Sequence, residues 1–285
     1  MKNIYHGRCN DNTRAAIRLA FHDAGTFSLA LQSAGQPNGG ADGSLLTDPD
    51  EVNRPENNGL QTIVGLLQPF PARYGVSPGD IIQVAGTLAV IACPGGPQIK
   101  TWVGRSPPAN INPTGLLPDT HAAVPVLTAR FADMGFGTRE LMALIGSHST
   151  ARQRFVDPAR AGQTLDTTVD IWDVRFYTET QNNITNPNVF HLPSDLAFSQ
   201  HPTTQQDYNR FVGGDRQSNW AGDYQKAHEK MSLLGYNQNS LTDCTEFMPV
   251  AIDLEKIAPN GNKGDPTIPP AVIESAIDQT RSIWL

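Results

Sequence analysis

The sequence has little charge and no long apolar run. Charged residues make up 17% of its 285 residues, and 28 acidic against 21 basic side chains give a net charge of −7. An acidic surface lacks the basic patch that nucleic-acid-binding proteins present to phosphates. No apolar stretch approaches the ~20 residues that a membrane-spanning helix needs. We therefore expect neither a nucleic acid nor a membrane as a partner.

Cysteine is also scarce, and an N-terminal leader is not visible. The three cysteines, Cys9, Cys93 and Cys244, allow either one disulfide with a free thiol or three reduced thiols. Met1 runs straight into polar sequence, as in a cytosolic protein or in a mature domain whose leader was replaced by an initiator Met. These observations alone leave the cellular compartment open.

Strand and hairpin signals are nearly absent, whereas helical signals recur. Helices are predicted over 11–27, from Ser77 as N-cap to Cys93, over 138–153, and over 221–235, ending at Gly235. With 25 Gly and 22 Pro, the rest is predicted to form long loops, at 33–59, 104–121 and 155–220. We predict a mostly α fold with little β structure, in a single domain that spans residues 1–285.

The segment RLAFHD places Arg18 and His22 four residues apart, on one face of the first predicted helix. A fixed cation beside a neutral imidazole suits heterolysis of a peroxide. The imidazole would take a proton from one oxygen and return it to the leaving one, while the cation would stabilise the developing negative charge. Considered alone, the same spacing also fits a buried salt-bridge face.

Two other segments are rich in the oxygen ligands that Ca²⁺ prefers. The first is GGADGS at 39–44, with Asp23 upstream, although such a run alone is usually a turn. The second, LDTTVDIWD at 165–173, places Asp166, Thr168 and Asp173 close together without the spacing of an EF-hand.

The segment IGSHSTAR at 145–152 surrounds His148 with small residues. Such a histidine could lie against a planar cofactor and offer a ring nitrogen to iron, although a satisfied core histidine is the more common case. A hydrolase nucleophile elbow is not predicted, because the second Gly of Gly-x-Ser-x-Gly is missing.

Taken together and in this order, these segments resemble the plant-type haem peroxidase superfamily, above all its secreted fungal branch. The resemblance runs from about Cys9 to about Pro249. It implies one haem b held between a distal half (about 1–120) and a proximal half (about 121–250), followed by a tail at 251–285. It also implies two Ca²⁺ ions, secretion and a monomer. The implied activity is reduction of hydrogen peroxide through high-valent iron, with oxidation of small aromatic donors such as phenols and dyes at the haem edge.

The resemblance implies a role for each site residue. Distal catalysis is assigned to Arg18, Phe21, His22 and a relay of Glu51, Asn53 and Asn57, in which Asn57 accepts the N–H of His22. The iron ligand is His148, made more basic by Asp195, and the haem contacts are Pro118, beside Asp119 at the edge channel, with Arg152 and Leu165. The Ca²⁺ ligands are Asp23, Gly40, Asp42 and Ser44 on the distal side and Ser149, Asp166, Thr168, Ile171 and Asp173 on the proximal side. A disulfide is implied for Cys9 and Cys93, whereas Cys244 lacks its usual partner.

Departures from the family narrow the expected substrates. The three acidic ligands of a Mn²⁺ site correspond here to Asp11, Ala15 and Arg154, and one carboxylate with a cation does not make that site. The surface Trp of lignin and versatile peroxidases corresponds to Ala143, and the Trp beside the proximal His of cytochrome c peroxidase corresponds to Leu165. Generic peroxidase behaviour is therefore expected.

Two other classes of protein compete with this interpretation. One is a calcium-stabilised binding domain whose haem pocket is vestigial. Such a domain would be expected to lose at least one of its central pocket residues, but all five are present: Arg18, His22, Asn57, His148 and Asp195. The other is a metallohydrolase using His22, His148 and Asp195, which lacks any closely spaced pair of ligands.

Overall fold

The structure is a computed structural model that describes residues 1–251. Within that range the chain is built of helices joined by long loops, with only two very short strands. The prediction of a mostly α fold is confirmed. The predicted tail lies outside the described residues except for Ala251, and the single-domain organisation over 1–285 stays a prediction.

The helices and strands follow one another with 3₁₀ turns between them. The α-helices are α1 (Lys2–Tyr5), α2 (Asp11–Ala24), α3 (Leu29–Ser33), α4 (Ser44–Thr47), α5 (Pro49–Val52), α6 (Gln61–Leu67), α7 (Phe70–Tyr74), α8 (Pro78–Ala92), α9 (Val124–Asp133), α10 (Thr138–Ile145), α11 (Arg175–Gln181), α12 (Pro193–Gln200), α13 (Gln205–Tyr208) and α14 (Gln217–Ser232). The strands are β1 (Trp102–Val103) and β2 (Thr242–Asp243), and they pair antiparallel. The 3₁₀ turns are Pro55–Asn57, Gly146–Thr150, Pro158–Arg160, Asn209–Phe211, Gly214–Arg216, Gln238–Ser240 and Thr245–Phe247.

The distal half is organised around the packing of α2 against α8. Asn10 caps α2 by accepting a hydrogen bond from the N–H of Thr13, at 2.9 Å. Ser77 caps α8 in the same way, and twelve of that helix's fifteen residues are buried, as predicted for a core helix. The disulfide between Cys9 and Cys93, implied by the family resemblance, is present and ties the start of α2 to the end of α8.

The proximal half departs from the predicted helix over 138–153. The α-helix α10 ends at Ile145 and tightens into the 3₁₀ turn that carries His148. The Met142 carbonyl accepts a hydrogen bond from the hydroxyl of Tyr177, at 2.6 Å, while the Gly146 N–H bonds to Ala143 and Leu144. A Cβ on Gly146 would lie 2.4 Å from Trp220 Nε1 and from Tyr177 Oη. Aromatic side chains from α11 and α14 therefore end the helix, and no local sequence signal reports them.

The predicted loops are correct at 104–121 and incomplete elsewhere. The 33–59 segment contains α4, α5 and a 3₁₀ turn, and the 155–220 segment contains α11, α12, α13 and the start of α14. These helices are mostly short, and their apolar residues repeat over too few turns to show a helical period.

No helix within residues 1–251 combines the length and the hydropathy required to cross a membrane.

Candidate functional site

Arg18 and His22 lie on the half-exposed face of α2, whereas most of their neighbours are buried. Arg18 Nε donates a hydrogen bond to His22 Nε2, at 3.1 Å. Its two terminal nitrogens donate to the backbone carbonyls of Asn58 and Glu56, at 2.7 and 2.9 Å. Burial lowers the pKa of Arg18 to about 10, so the guanidinium remains charged at neutral pH. The cation is therefore fixed in position beside the imidazole.

The second nitrogen of His22 points to Asn57. Nδ1 lies 2.8 Å from Asn57 Oδ1, and Asn57 Nδ2 donates to the backbone carbonyl of Glu51, also at 2.8 Å. Burial and the charge of Arg18 lower the pKa of His22 to about 3, against the opposing effect of Asn57. A neutral imidazole with its proton on Nδ1 is thus left with Nε2 as its basic nitrogen.

The predicted Glu…Asn relay runs through backbone rather than through the carboxylate of Glu51. Within residues 1–251, neither carboxylate oxygen of Glu51 has a hydrogen-bond partner of normal geometry, and Arg54 Nη1 lies 3.9 Å away. Burial raises the pKa of Glu51, partly offset by the Ser44 hydroxyl and Arg54. Asn53 lies outside the relay, because its amide donates to the Pro49 carbonyl.

Phe21 forms the third member of this face. Its ring stacks on Phe131 of α9, with centroids 6.0 Å apart and an angle of 11° between the ring planes. It also meets the edge of the His22 ring at 5.8 Å. The α9 contact holds the distal residues against the proximal half.

His148 is held by a carboxylate, in contrast to His22. Its Nδ1 lies 2.8 Å from Oδ2 of Asp195, a buried residue in α12, and the edge of its ring contacts Phe176 at 5.7 Å. Burial lowers the pKa of His148, but the charge and hydrogen bond of Asp195 outweigh it and leave that pKa raised. Within residues 1–251, Nε2 makes no hydrogen bond and is available as a ligand atom.

The predicted distal Ca²⁺ ligands are brought together in one buried cluster. Asp23 accepts hydrogen bonds from Gly43 N and Gln83 Nε2, and Asp42 accepts from Ser44 N. Burial, followed by the neighbouring carboxylates of Asp42 and Glu51, raises the pKa of Asp23 well above its usual range. A bound cation would offset the unfavourable free energy of burying these negative charges close together.

The distal loop is shaped by close contacts. Gly43 has a φ of +85°, and a Cβ at this position would lie 2.1 Å from the backbone nitrogen of Gly79, so the turn requires glycine. Gly40, the remaining predicted ligand, is buried in the same loop with a φ of +133°.

Several oxygens of the predicted proximal Ca²⁺ ligands have no hydrogen-bond partner within residues 1–251. Ser149 Oγ, Asp166 Oδ2 and Asp173 Oδ2 are buried, and none has a hydrogen-bond partner in the described part of the chain. Thr168 joins the two carboxylates, since its N–H donates to Asp166 and its hydroxyl donates to Asp173. Ile171, whose carbonyl is the last predicted ligand, is buried beside them.

The electrostatics of the proximal set favour a hard cation. Burial and then Asp173 raise the pKa of Asp166 well above its usual range, and burial raises that of Asp173 to about 6. No group of three or more His, Cys, Asp or Glu side chains forms a metal site between residues 1 and 251. Two carboxylates with hydroxyl and carbonyl oxygens suit Ca²⁺ rather than a transition metal.

The other predicted haem contacts differ in burial. Pro118 is half-buried in a loop fixed by Arg130, which donates to the carbonyls of Leu116 and Gly25 at 2.6 and 2.8 Å. Leu165 is buried, and the partly exposed Arg152 follows the His148 turn. Asp119 is exposed beside Pro118.

Sequence reasoning missed several residues that organise the site. Asn112 Nδ2 donates to Ser44 Oγ at 2.7 Å and reaches Asp42 and Thr26, which joins the proline-rich loop to the distal cluster. Phe176 packs on His148 from the middle of a segment predicted to be irregular. A lone Asn and a lone Phe carry no spacing signal, so only the folded chain reveals them.

The chain is similar in sequence to known peroxidases. The family model described as peroxidase matches residues 2–213. Ligninase LG6 of Phanerodontia chrysosporium is 35% identical over 269 residues, which cover 88% of this chain and 72% of the relative. Versatile peroxidase VPS1 of Pleurotus eryngii is 34% identical over 274 residues, covering 90% and 74%. Ligninase LG5 of Phanerodontia chrysosporium is 33% identical over 296 residues, covering 98% and 78%. The chain belongs to the peroxidase family and is a peroxidase, an oxidoreductase.

Proposed function

We propose that this peroxidase binds one haem b between His22 and His148, reduces hydrogen peroxide there, and oxidises small phenols and dyes at the haem edge. The main support for this proposal is that the two histidines have different hydrogen-bond partners at Nδ1. Nδ1 of His22 meets the neutral amide of Asn57, whereas Nδ1 of His148 meets the carboxylate of Asp195. The first environment suits a proton-transfer base, and the second suits an electron-rich metal ligand.

The donor set fits a haem. His148 Nε2 would hold the iron, with Leu165, Arg152 and Pro118 around the ring. When bound, the haem would supply the iron that accepts peroxide oxygen and the electrons that reduce it.

The distal residues would transfer the peroxide proton and stabilise the negative charge that develops on the leaving oxygen. His22 Nε2 would take a proton from one peroxide oxygen and deliver it to the other, which could then leave as water. The Arg18 guanidinium stabilises negative charge on the departing oxygen. Asn57 keeps the basic nitrogen of His22 directed at the peroxide by holding the other nitrogen's proton.

Two Ca²⁺ ions are proposed to hold the two histidine segments in place. The distal ion would be bound by Asp23, next to His22, with Gly40, Asp42 and Ser44. The proximal ion would be bound by Ser149, next to His148, with Asp166, Thr168, Ile171 and Asp173. The partnerless oxygens of Ser149, Asp166 and Asp173 support this assignment.

Direct oxidation at the haem edge is proposed because the residues at the family's Mn²⁺ position and surface-Trp position do not support those two routes. Asp11, the one carboxylate at the Mn²⁺ position, lies 3.0 Å from Arg154 and 3.2 Å from Arg14. Ala143 is fully buried. Secretion and a monomeric state complete the proposal, by analogy with the family.

A haem titration tests the proposal. The purified protein should bind one equivalent of haem and show a Soret band, and His148→Ala should weaken binding or give an abnormal ligand-field spectrum. His201→Ala, on a half-buried histidine after α12, is the matched control and should leave the spectrum unchanged. Normal ligation in His148→Ala would refute the proximal assignment.

A further inference from the structure

Buried aromatic rings connect His148 to the middle of α14. Each ring contacts the next at a centroid distance below 6 Å, and each residue beyond His148 is at most 2% exposed. The contacts are His148–Phe176 at 5.7 Å, Phe176–Tyr177 at 5.2 Å, Tyr177–Trp220 at 5.9 Å, Trp220–Trp172 at 5.3 Å and Trp172–Tyr224 at 4.8 Å.

This connection ends at a phenol paired with a base. The Tyr224 hydroxyl lies 3.0 Å from Nδ1 of His228, which is fully buried. Nε2 of His228 has no hydrogen-bond partner within residues 1–251. If Tyr224 donates to Nδ1, one buried group (the Nε2–H) stays unsatisfied, whereas the reverse arrangement would leave both the phenol proton and the Nε2 lone pair unsatisfied. We therefore assign Tyr224 as the donor.

We propose that Tyr224 is a reversible one-electron oxidation site inside the protein and that His228 keeps its proton. The inference rests on the proposed function, because the oxidant is a haem oxidised by peroxide. One electron leaves Tyr224 for that haem, and the phenolic proton moves to Nδ1 of His228. The products are a neutral phenoxyl radical, an imidazolium and a haem reduced by one electron. An electron from a phenolic donor, with return of the proton, reverses the step.

The protonation states suit this step. Burial lowers the pKa of His228 to about 4, so the ring is neutral at physiological pH and can accept a proton. Burial also raises the pKa of Tyr224, so the resting phenol keeps its proton and cannot lose an electron easily unless that proton leaves as well.

Within residues 1–251, the other hydroxyl and the indole N–H that hydrogen-bond along this connection, and the hydroxyl of the neighbouring Tyr208, meet backbone carbonyls instead of such a base. The Tyr177 hydroxyl donates to the Met142 carbonyl, and the Tyr208 hydroxyl lies 3.3 Å from the Tyr177 carbonyl. Trp220 Nε1 donates to the Ala143 carbonyl, at 2.9 Å. Backbone carbonyls are poor proton acceptors, so an oxidising equivalent passing along these rings settles at Tyr224.

Electron paramagnetic resonance tests the proposal on the haem-loaded protein. One equivalent of hydrogen peroxide is added without a donor, and samples are frozen at successive times. The native protein should give a tyrosyl signal, and Tyr224→Phe should lose it. Tyr208→Phe, another buried tyrosine of the same cluster whose hydroxyl meets a carbonyl, is the matched control and should keep it. A native protein without a tyrosyl signal, or a signal that survives in Tyr224→Phe, would overturn the proposal.

A second variant tests the role of His228 by the same resonance experiment. It also tests the proposal if Tyr224→Phe does not fold or does not bind haem. His228→Gln keeps a hydrogen-bond acceptor but removes the base. We expect a lower radical yield and a larger gx component, because the phenoxyl oxygen no longer faces a protonated partner. Unchanged yield and gx in this variant contradict the proposal. Failure of the proposed function looks different, because the native protein would then not consume peroxide with a phenol.

Discussion

Asn57 holds the Nδ1 proton of His22, with 2.8 Å between the amide oxygen and the ring nitrogen. The amide cannot reverse its orientation without loss, because its NH₂ group already donates to the carbonyl of Glu51. A backbone carbonyl therefore fixes which nitrogen of His22 is the base. The carboxylate of Glu51, implicated by family resemblance, takes no part in this hydrogen bond.

Replacing His22 with Leu should slow the reaction with peroxide by about 100- to 10,000-fold, the usual contribution of a positioned base. Haem should remain bound, because the proposed iron ligand is on the other side. Stopped-flow absorbance of the haem-loaded protein measures this rate. His121→Leu, on an exposed histidine, is the control and should react at the native rate. An unchanged rate in His22→Leu would contradict the distal assignment.

Replacing Asp195 with Asn should raise the reduction potential of the bound iron. The carboxylate 2.8 Å from His148 Nδ1 makes the ring a stronger donor, which stabilises the oxidised metal. Spectroelectrochemistry measures the potential. Ser194→Ala removes only a 3.4 Å contact to Asp195 and should change the potential much less. Equal reduction potentials for the native protein and Asp195→Asn would contradict the proposal that Asp195 makes His148 a stronger iron ligand.

The sequence predicted the parts of the site that depend on local spacing. Arg18 and His22 share a helix face because they are four residues apart, and Ser77 begins α8 because its side chain caps it. The turn that carries His148 was predicted as α-helix. Its geometry depends on Tyr177 and Trp220, which donate hydrogen bonds to α10 carbonyls that precede them by 35 and 77 residues.

Side chains without a repeating pattern were also beyond prediction. Trp172 lies within the segment proposed to bind the proximal Ca²⁺, and the structure buries it fully and stacks it on Trp220. The pairing of Tyr224 with His228 is a four-residue spacing on α14, but its connection to His148 depends on ring contacts of Tyr224 with Trp172 and Trp220, which no local spacing predicts.

Removing calcium should destabilise the fold and the haem pocket together. A ligand held at 100 times its Kd adds about 2.7 kcal/mol to the free energy of unfolding, and a chelator removes that contribution. Calorimetry and the haem spectrum, recorded with and without chelator, should therefore change in parallel. Ca²⁺ should restore both, and the smaller Mg²⁺ should do so poorly. If neither the Tm nor the spectrum changed, the two-calcium assignment would be wrong.

Stability should depend on pH through His228. Its pKa falls from 6.5 to about 4 on folding, so its stabilising effect is present above pH 6.5 and is lost as the pH falls through about 4. The native protein should lose up to about 1.4 kcal/mol per pH unit in that window through this group. His228→Gln should reduce that slope, as measured by chemical unfolding at several pH values. The same slope in both proteins would contradict this account.

The enzyme should oxidise phenols and low-potential dyes, but oxidise Mn²⁺ poorly and leave bulky non-phenolic aromatics unchanged. Arg154 and Arg14 both contact Asp11, and Ala15 offers no ligand atom, so a divalent cation would meet one carboxylate that is already paired. Steady-state assays with Mn²⁺, a simple phenol and a non-phenolic aromatic measure the range. Efficient Mn²⁺ oxidation by the native protein would contradict the prediction.

Two variants test whether Mn²⁺ oxidation is weak because carboxylate ligands are missing or because Arg154 repels the cation. Arg154→Ala frees Asp11 from one guanidinium but adds no oxygen, so Mn²⁺ turnover should stay low. The double variant Ala15→Glu with Arg154→Asp supplies three carboxylates and should bind and oxidise Mn²⁺ measurably. Phenol oxidation should stay near the native rate in both variants, since the haem edge beside Pro118 is unaltered. If Arg154→Ala alone conferred Mn²⁺ oxidation, charge repulsion rather than the absence of ligands would set the substrate range.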